Sequence, residues 1–125
     1  MGQVQISFHK IDEILKLNGT AQLNRVTLDI HQQLQSHCTC VVEVAHLQHS
    51  AHTISFASNG KITDNLSYHL SGTPCEKVAK DIGEHIFYQD QVYKRFPEDQ
   101  MFQEDGIQAY IGLPLKTQNG EVLGI

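Results

Sequence analysis

Tyr68-His69-Leu70-Ser71-Gly72-Thr73-Pro74-Cys75-Glu76, YHLSGTPCE, combines a turn, a helix start and a thiol in one short segment. Thr73 suits a helix N-cap. Pro74 suits the first helical position, where an amide proton would lack a partner anyway, and Glu76 can reach back to the Thr73 amide. The spacing predicts a capping box and a helix beginning at Pro74. It puts Cys75 in the first helical turn, where unpaired amides and the helix dipole favour a thiolate. Burial in an apolar setting acts the other way, so Cys75 reads either as a reactive thiol or as a structural, inert one.

Downstream, Ile86 to Tyr88 reads as a short strand and Glu98 to Glu104 as a short helix closed by Gly106. Gln108 to Leu115 and Glu121 to Ile125 read as two strands of a hairpin around Asn119-Gly120. Upstream, Phe8, Ile11, Ile14 and Leu15 recur at helical spacing over residues 8–17, ahead of Asn18-Gly19, a left-handed stop signal. Thr20 restarts a helix that runs to about Ser36, its Leu23, Val26, Ile30 and Leu34 forming an apolar stripe suited to packing on a sheet. Cys38 to Leu47 and Thr53 to Ser58 alternate as strands; Gln48 to Ala51 is short enough for a hairpin, and Asn59-Gly60 ends the second strand. The expected fold class is α+β, an antiparallel sheet with helices packed on it, in one domain over residues 1–125.

Three segments occur in an order that resembles the GAF domains of bacterial sensory proteins. They are YHLSGTPCE, then RFPEDQMFQEDG from Arg95, then YIGLPLKTQNGEVLGI from Tyr110. The fit is carried by Tyr68, Leu70, Gly72 to Glu76, Phe96, Pro97, Asp99, Tyr110, Gly112, Pro114, Leu115, Gly120, Leu123 and Gly124, and the resemblance covers residues 18–125. It implies a GAF-like core over residues 18–125, preceded by the helix at 8–17. It also implies a further central strand and a C-terminal helix beyond Ile125, so the segment reads as C-terminally truncated. It further implies a sensory input domain of a cytoplasmic signal-transduction protein, beside PAS, histidine kinase or GGDEF output domains, that binds a small molecule or a partner. Cyclic nucleotides and tetrapyrroles are ligands of some members, so no cofactor is assigned. Phytochrome-type members attach a bilin through a cysteine in a different local context, which leaves Cys75 without that role.

Composition agrees with such a module. A net charge of −5 with scattered basic residues argues against nucleic acid and anionic membrane as partners. No apolar run approaches the roughly 18 residues that a bilayer span requires. The N-terminus lacks secretory and myristoylation signals. Three cysteines, with Cys38 and Cys40 sharing one face of a strand, suit a reduced, cytoplasmic setting better than a disulfide.

The candidate ligand-binding residues are Tyr68, Cys75, Phe96, Phe102 and Tyr110. They belong to a larger aromatic set with Phe87, Tyr88 and Tyr93 around the expected helix-to-sheet crevice. His46, His49 and His52 fall on strand, loop and strand, which spreads them and argues against a metal site. Glu98, Asp99, Glu104 and Asp105 lack calcium-loop spacing and read as a solvated helix face. No catalytic set emerges, so the chain is read as non-enzymatic. Two alternatives stand beside the sensor. One is a structural dimerisation module without a ligand; the other is a thiol-dependent methionine sulfoxide reductase of GAF fold, whose local motifs Cys38, Cys40 and Cys75 do not reproduce. Self-association as a homodimer is expected, through the apolar residues of 8–17 or through strand exchange at Glu121 to Ile125.

Overall fold

A computed structural model describes residues 18–80 and 85–125, so the helix expected over 8–17 lies outside the described residues. Among the described residues the fold is α+β, an antiparallel sheet with four helices packed on it. Its described parts form two compact units, one of residues 18–41 and 53–65, the other of residues 42–52 and 66–125.

The first unit opens with helix α1, Gly19–Leu34. Asn18 is not left-handed, with φ −76°. It is the N-cap, in extended conformation, and its side chain accepts from the Ala21 amide at 3.3 Å. Gln35 closes the helix in the left-handed region, its amide bonded to the His31 carbonyl. The outer parts of strands β1, Cys38–Ala45, and β2, Ser50–Ser58, belong to this unit with β3, Lys61–Ile62, which pairs antiparallel with β2. Asn59 and Gly60 both have positive φ, 55° and 77°, as a tight two-residue hairpin requires.

The buried face of α1 differs from the expected apolar stripe. Thr27, Asp29 and His31 are buried, while Leu23, Val26 and Ile30 are half-buried and Leu34 is exposed. The polar face has partners that the apolar period does not reveal. Ser55 donates to Asn24 at 2.7 Å, Thr27 to the Leu23 carbonyl at 3.0 Å, and Arg25 Nε lies 3.4 Å from Asp29. A satisfied polar group can be buried at little cost.

In the second unit the inner ends of β1 and β2 are joined by a turn over residues 46–49, in which His49 adopts φ 52°. The strand order there is β4, β2, β1, β8, β7, with β4 at Ser67–His69, β7 at Leu115–Lys116 and β8 at Val122–Gly124. Gly124 pairs with Glu43 and faces the Val42 carbonyl so closely that a Cβ there would collide with backbone. A second, two-stranded sheet pairs β5, Ile86–Tyr88, with β6, Tyr110–Gly112.

The strand expected over Gln108 to Leu115 is therefore two strands in two sheets. Pro114, which has no amide to give a ladder, lies at the break. Helix α2, Pro74–Lys80, packs on β6 and β8, with Val78 fully buried against Gly112. Helices α3, Val92–Arg95, and α4, Gln100–Asp105, pack on each other around Val92, Phe96 and Phe102.

Candidate functional site

In the second unit, the start of α2 is built differently from the expected capping box. The turn Leu70 to Thr73 closes with the Thr73 amide on the Leu70 carbonyl at 3.1 Å and needs Gly72 at φ 77°. The Thr73 hydroxyl donates to that same carbonyl at 2.7 Å, and the Glu76 amide is held by the Thr73 backbone carbonyl at 3.2 Å. The Glu76 carboxylate turns away from Thr73. It accepts from His49 Nε2 at 2.7 Å and lies 3.6 Å from Lys80 Nζ, and the hydrogen bond from His49 holds its pKa below the ordinary carboxylate value. The stronger, charge-assisted partner wins the side chain.

This start presents the Cys75 thiol to two phenols. Tyr68, opposite Ala51 on β4, donates its hydroxyl to Cys75 Sγ at 3.2 Å, and the Tyr110 hydroxyl lies 3.3 Å from the same sulfur. Burial pushes the thiol pKa up, the bonds to Tyr110 and Tyr68 oppose that, and the Asp99 charge adds to it. Desolvation thus outweighs the first-turn effect, and the group is a thiol near neutral pH. Among the described residues its hydrogen-bond partners are phenols and not imidazoles.

The aromatic wall continues from Tyr110. Phe102 lies 6.2 Å from it and Tyr88 6.5 Å, and Tyr88 meets Phe96 edge-on at 5.4 Å. All five sequence-predicted residues, Tyr68, Cys75, Phe96, Phe102 and Tyr110, thus belong to one chain of contacts drawn from five separate segments. Tyr93, Met101 and Ile107 pack behind it. The Arg95 guanidinium lies 5.2 Å from the centre of the Tyr88 ring.

One member of the larger aromatic set and one of the acidic cluster behave otherwise. Phe87 faces away with 58% of its surface exposed, opposite Ile111, because alternate residues of β5 point to opposite faces. Asp99 is not part of a solvated face. It caps α4, accepting from Phe102 N at 3.2 Å, and burial raises its pKa while the amides of Phe102 and Met101 lower it. Glu98, Glu104 and Asp105 are exposed.

Sequence reasoning left Tyr88 and Arg95 out of the candidate set. Tyr88 stood in the wider aromatic set, and what singles it out is the pairing that puts it directly opposite Tyr110. Arg95 had no sequence signal, since α3 is only one turn long. The three expected-scattered histidines of this unit have separate partners: His46 Nε2 lies 2.6 Å from the Val122 carbonyl, His49 meets Glu76, and His52 lies 3.6 Å from Glu43. Among the described residues no group of three or more histidine, cysteine or acidic side chains converges on a metal position, and none of the three cysteines is in a disulfide.

Chemically, the cluster offers two phenol hydroxyls and a protonated thiol in front of an aromatic wall, with a carboxyl of raised pKa beside them. Phe96 and Phe102 are buried, so the half-buried phenols Tyr68, Tyr88 and Tyr110 are the part of it that suits stacking and directional hydrogen bonds. No protein-family model and no curated protein matches the chain.

Proposed function

We propose that this chain is a GAF-like sensory input domain of a cytoplasmic signalling protein, non-enzymatic, which binds a small molecule at the Tyr68–Cys75–Tyr110 cluster and biases an output domain. The observation that carries the reading is the cluster itself. Each of the three segments on which the family resemblance rests contributes to it: Tyr68 and Cys75 from the first, Phe96, Asp99 and Phe102 from the second, Tyr110 from the third. Ligand control requires that the molecule bind two states of the protein with different affinity. Elements that respond are at hand, because α2 carries the thiol at one end and packs on two strands of different sheets.

The test is a thermal-shift screen of the chain against nucleotides, tetrapyrroles and common metabolites. A ligand present at 100 times its Kd stabilises by about 2.7 kcal/mol, an easily read rise in Tm. The reading expects at least one such ligand, with the rise reduced in Tyr110→Phe. A panel without any stabilising ligand counts against it.

A second reading, dimerisation without a ligand, is favoured by the exposed apolar residues Phe87, Ile111, Leu113, Leu115 and Leu123. It expects twice the monomer mass by light scattering and an empty screen.

A further inference from the structure

Three Asn-Gly pairs punctuate the chain, at Asn18-Gly19, Asn59-Gly60 and Asn119-Gly120. Asparagine before glycine is chemically labile, because glycine has no side chain to keep its backbone nitrogen away from the preceding carboxamide carbon. All three asparagines are exposed, so the fold separates them by geometry and not by burial.

Closing a ring between the two residues needs the glycine nitrogen on the same side of the asparagine Cα–C bond as Cβ, with its proton free to leave. Two pairs fail on both counts. Asn59 is left-handed at φ 55°, and the ψ of about +47° usual in that region sets Cβ anti to the Gly60 nitrogen. The Gly60 N–H is donated to the buried His31 at Nε2, 3.0 Å away. Asn119 is the third residue of a turn closed by the Gly120 N–H on the Thr117 carbonyl at 3.0 Å, where a ψ of about 0° again swings the nitrogen away from Cβ. Asn18 differs. At φ −76° and ψ 171° it holds the Gly19 nitrogen gauche to Cβ. Gly19 is the first residue of α1, and a first-turn amide has no carbonyl of its own helix to donate to. The Ala21 N–H, donating to Oδ1 at 3.3 Å, draws the Asn18 carboxamide over that same turn. This bond polarises Cγ and is placed to receive the oxyanion of an addition there.

We propose that Asn18 is a self-modification site, the one Asn-Gly pair of the folded chain whose surroundings favour conversion to aspartate and isoaspartate. Solvent hydroxide removes the Gly19 amide proton, and the nitrogen attacks Cγ. The Cγ–Nδ2 bond breaks and Nδ2 leaves as ammonia, with a proton from water, which closes a succinimide ring. Water then opens the ring. Cleavage between the nitrogen and Cγ restores the normal backbone with an aspartate at position 18; cleavage between the nitrogen and the main-chain carbonyl carbon leaves isoaspartate. Overall one water is consumed and one ammonia released, with no oxidant or reductant. The two products act differently on α1. Aspartate keeps a capping oxygen and adds negative charge at the positive end of the helix. Isoaspartate carries the chain through Cβ and Cγ, so the capping group becomes backbone and the N-cap is lost. The step uses none of the residues of the ligand cluster and stands whether or not that site binds anything.

The experiment incubates the intact chain in mildly alkaline buffer, folded and in parallel unfolded in guanidinium, and follows the three sites by peptide mass spectrometry with the two products separated. In the folded chain Asn18 is expected to convert severalfold faster than Asn59 and Asn119. Unfolded, the three are expected to converge, since they share the dipeptide and differ in what the fold does to it. Gly19→Pro removes the amide proton and with it the ring closure. The site accepts it: proline suits the first helical position, the residue before it prefers the extended conformation that Asn18 has, and a Cβ at Gly19 meets nothing within 4 Å. Asn18 is expected to persist in that variant while Asn59 and Asn119 convert as in the parent. Conversion of Asn59 or Asn119 as fast as Asn18 in the folded chain, the same ranking in guanidinium, or undiminished conversion of Asn18 in Gly19→Pro overturns the proposal. The parent chain alone decides the ranking if the variant fails to fold.

Discussion

Cys75 shows how the surroundings of one atom outweigh its place in a helix. The first-turn position favours a thiolate, yet burial dominates and raises the pKa, with the two tyrosines only partly offsetting it. Alkylation of Cys75, followed by peptide mass spectrometry to separate it from Cys38 and Cys40, is therefore expected to accelerate only at a pH above that of a free cysteine. Tyr110→Phe, which removes a bond that lowers the pKa, is expected to move the profile higher still; a profile at or below the free-cysteine value contradicts this.

Glu76 and Asp99 give opposite signs. Glu76 has a depressed pKa in the folded chain, so its contribution is present above the ordinary carboxylate range and is lost as the pH falls through its folded value. Glu76→Gln is expected to lower Tm at neutral pH and to approach the parent in acid. Asp99 is raised, so its charge costs stability as the pH climbs through the ordinary aspartate range. Asp99→Asn keeps a capping oxygen and sheds that charge, and is expected to match or exceed the parent Tm at neutral pH. Asp99→Ala loses the cap and costs about 1 kcal/mol by denaturant titration.

Among the elements, the glycines of β6 and β8 set how closely layers approach. A Cβ at Gly112 would meet the Tyr110 hydroxyl and come 2.8 Å from Val78 Cγ2, both side chains able to yield somewhat. At Gly124 it would meet the Val42 carbonyl oxygen, which is backbone within a strand pair. Gly112→Ala is expected to cost about 1–3 kcal/mol, the usual range for overpacking, and Gly124→Ala more. The reverse order in chemical denaturation argues against the placement of β8.

The elements that were legible in the sequence are those with a period or a strong terminal signal. Helix α1, strands β1, β2 and β5, helix α4 with Gly106 at φ 61°, and the Asn119-Gly120 hairpin all follow from such patterns. Strands β3 and β4 were not, because two or three residues hold no period and their pairing to β2 is a tertiary matter. Helix α3 begins after Gln91 in the left-handed region without a side-chain cap, so its start carries no signal. The buried polar face of α1 escaped for another reason: an apolar period locates greasy residues and is blind to Asn24, Thr27 and His31, whose partners Ser55 and Gly60 lie far along the chain. Of the candidate site, the residue types were legible from the motifs, while the meeting of phenol, thiol and phenol depends on the pairing of β4 with β2 and of β5 with β6.

At the scale of the whole molecule, the proposed binding of a small molecule at the aromatic and thiol cluster can be read directly. The chain supplies its own reporter, since it has no tryptophan and its four tyrosines are Tyr68, Tyr88, Tyr93 and Tyr110. Tyr68 and Tyr110 hold the thiol, Tyr88 lies between Tyr110 and Phe96, and Tyr93 packs on the same core. Intrinsic emission therefore comes from the candidate site. The most direct measurement is a titration of tyrosine emission with whichever compound raises Tm. A saturable change with the midpoint of the thermal effect is expected, weakened in Tyr110→Phe and Phe102→Ala. A stabilising compound that leaves tyrosine emission unchanged, or binds both variants as tightly as the parent, would contradict it.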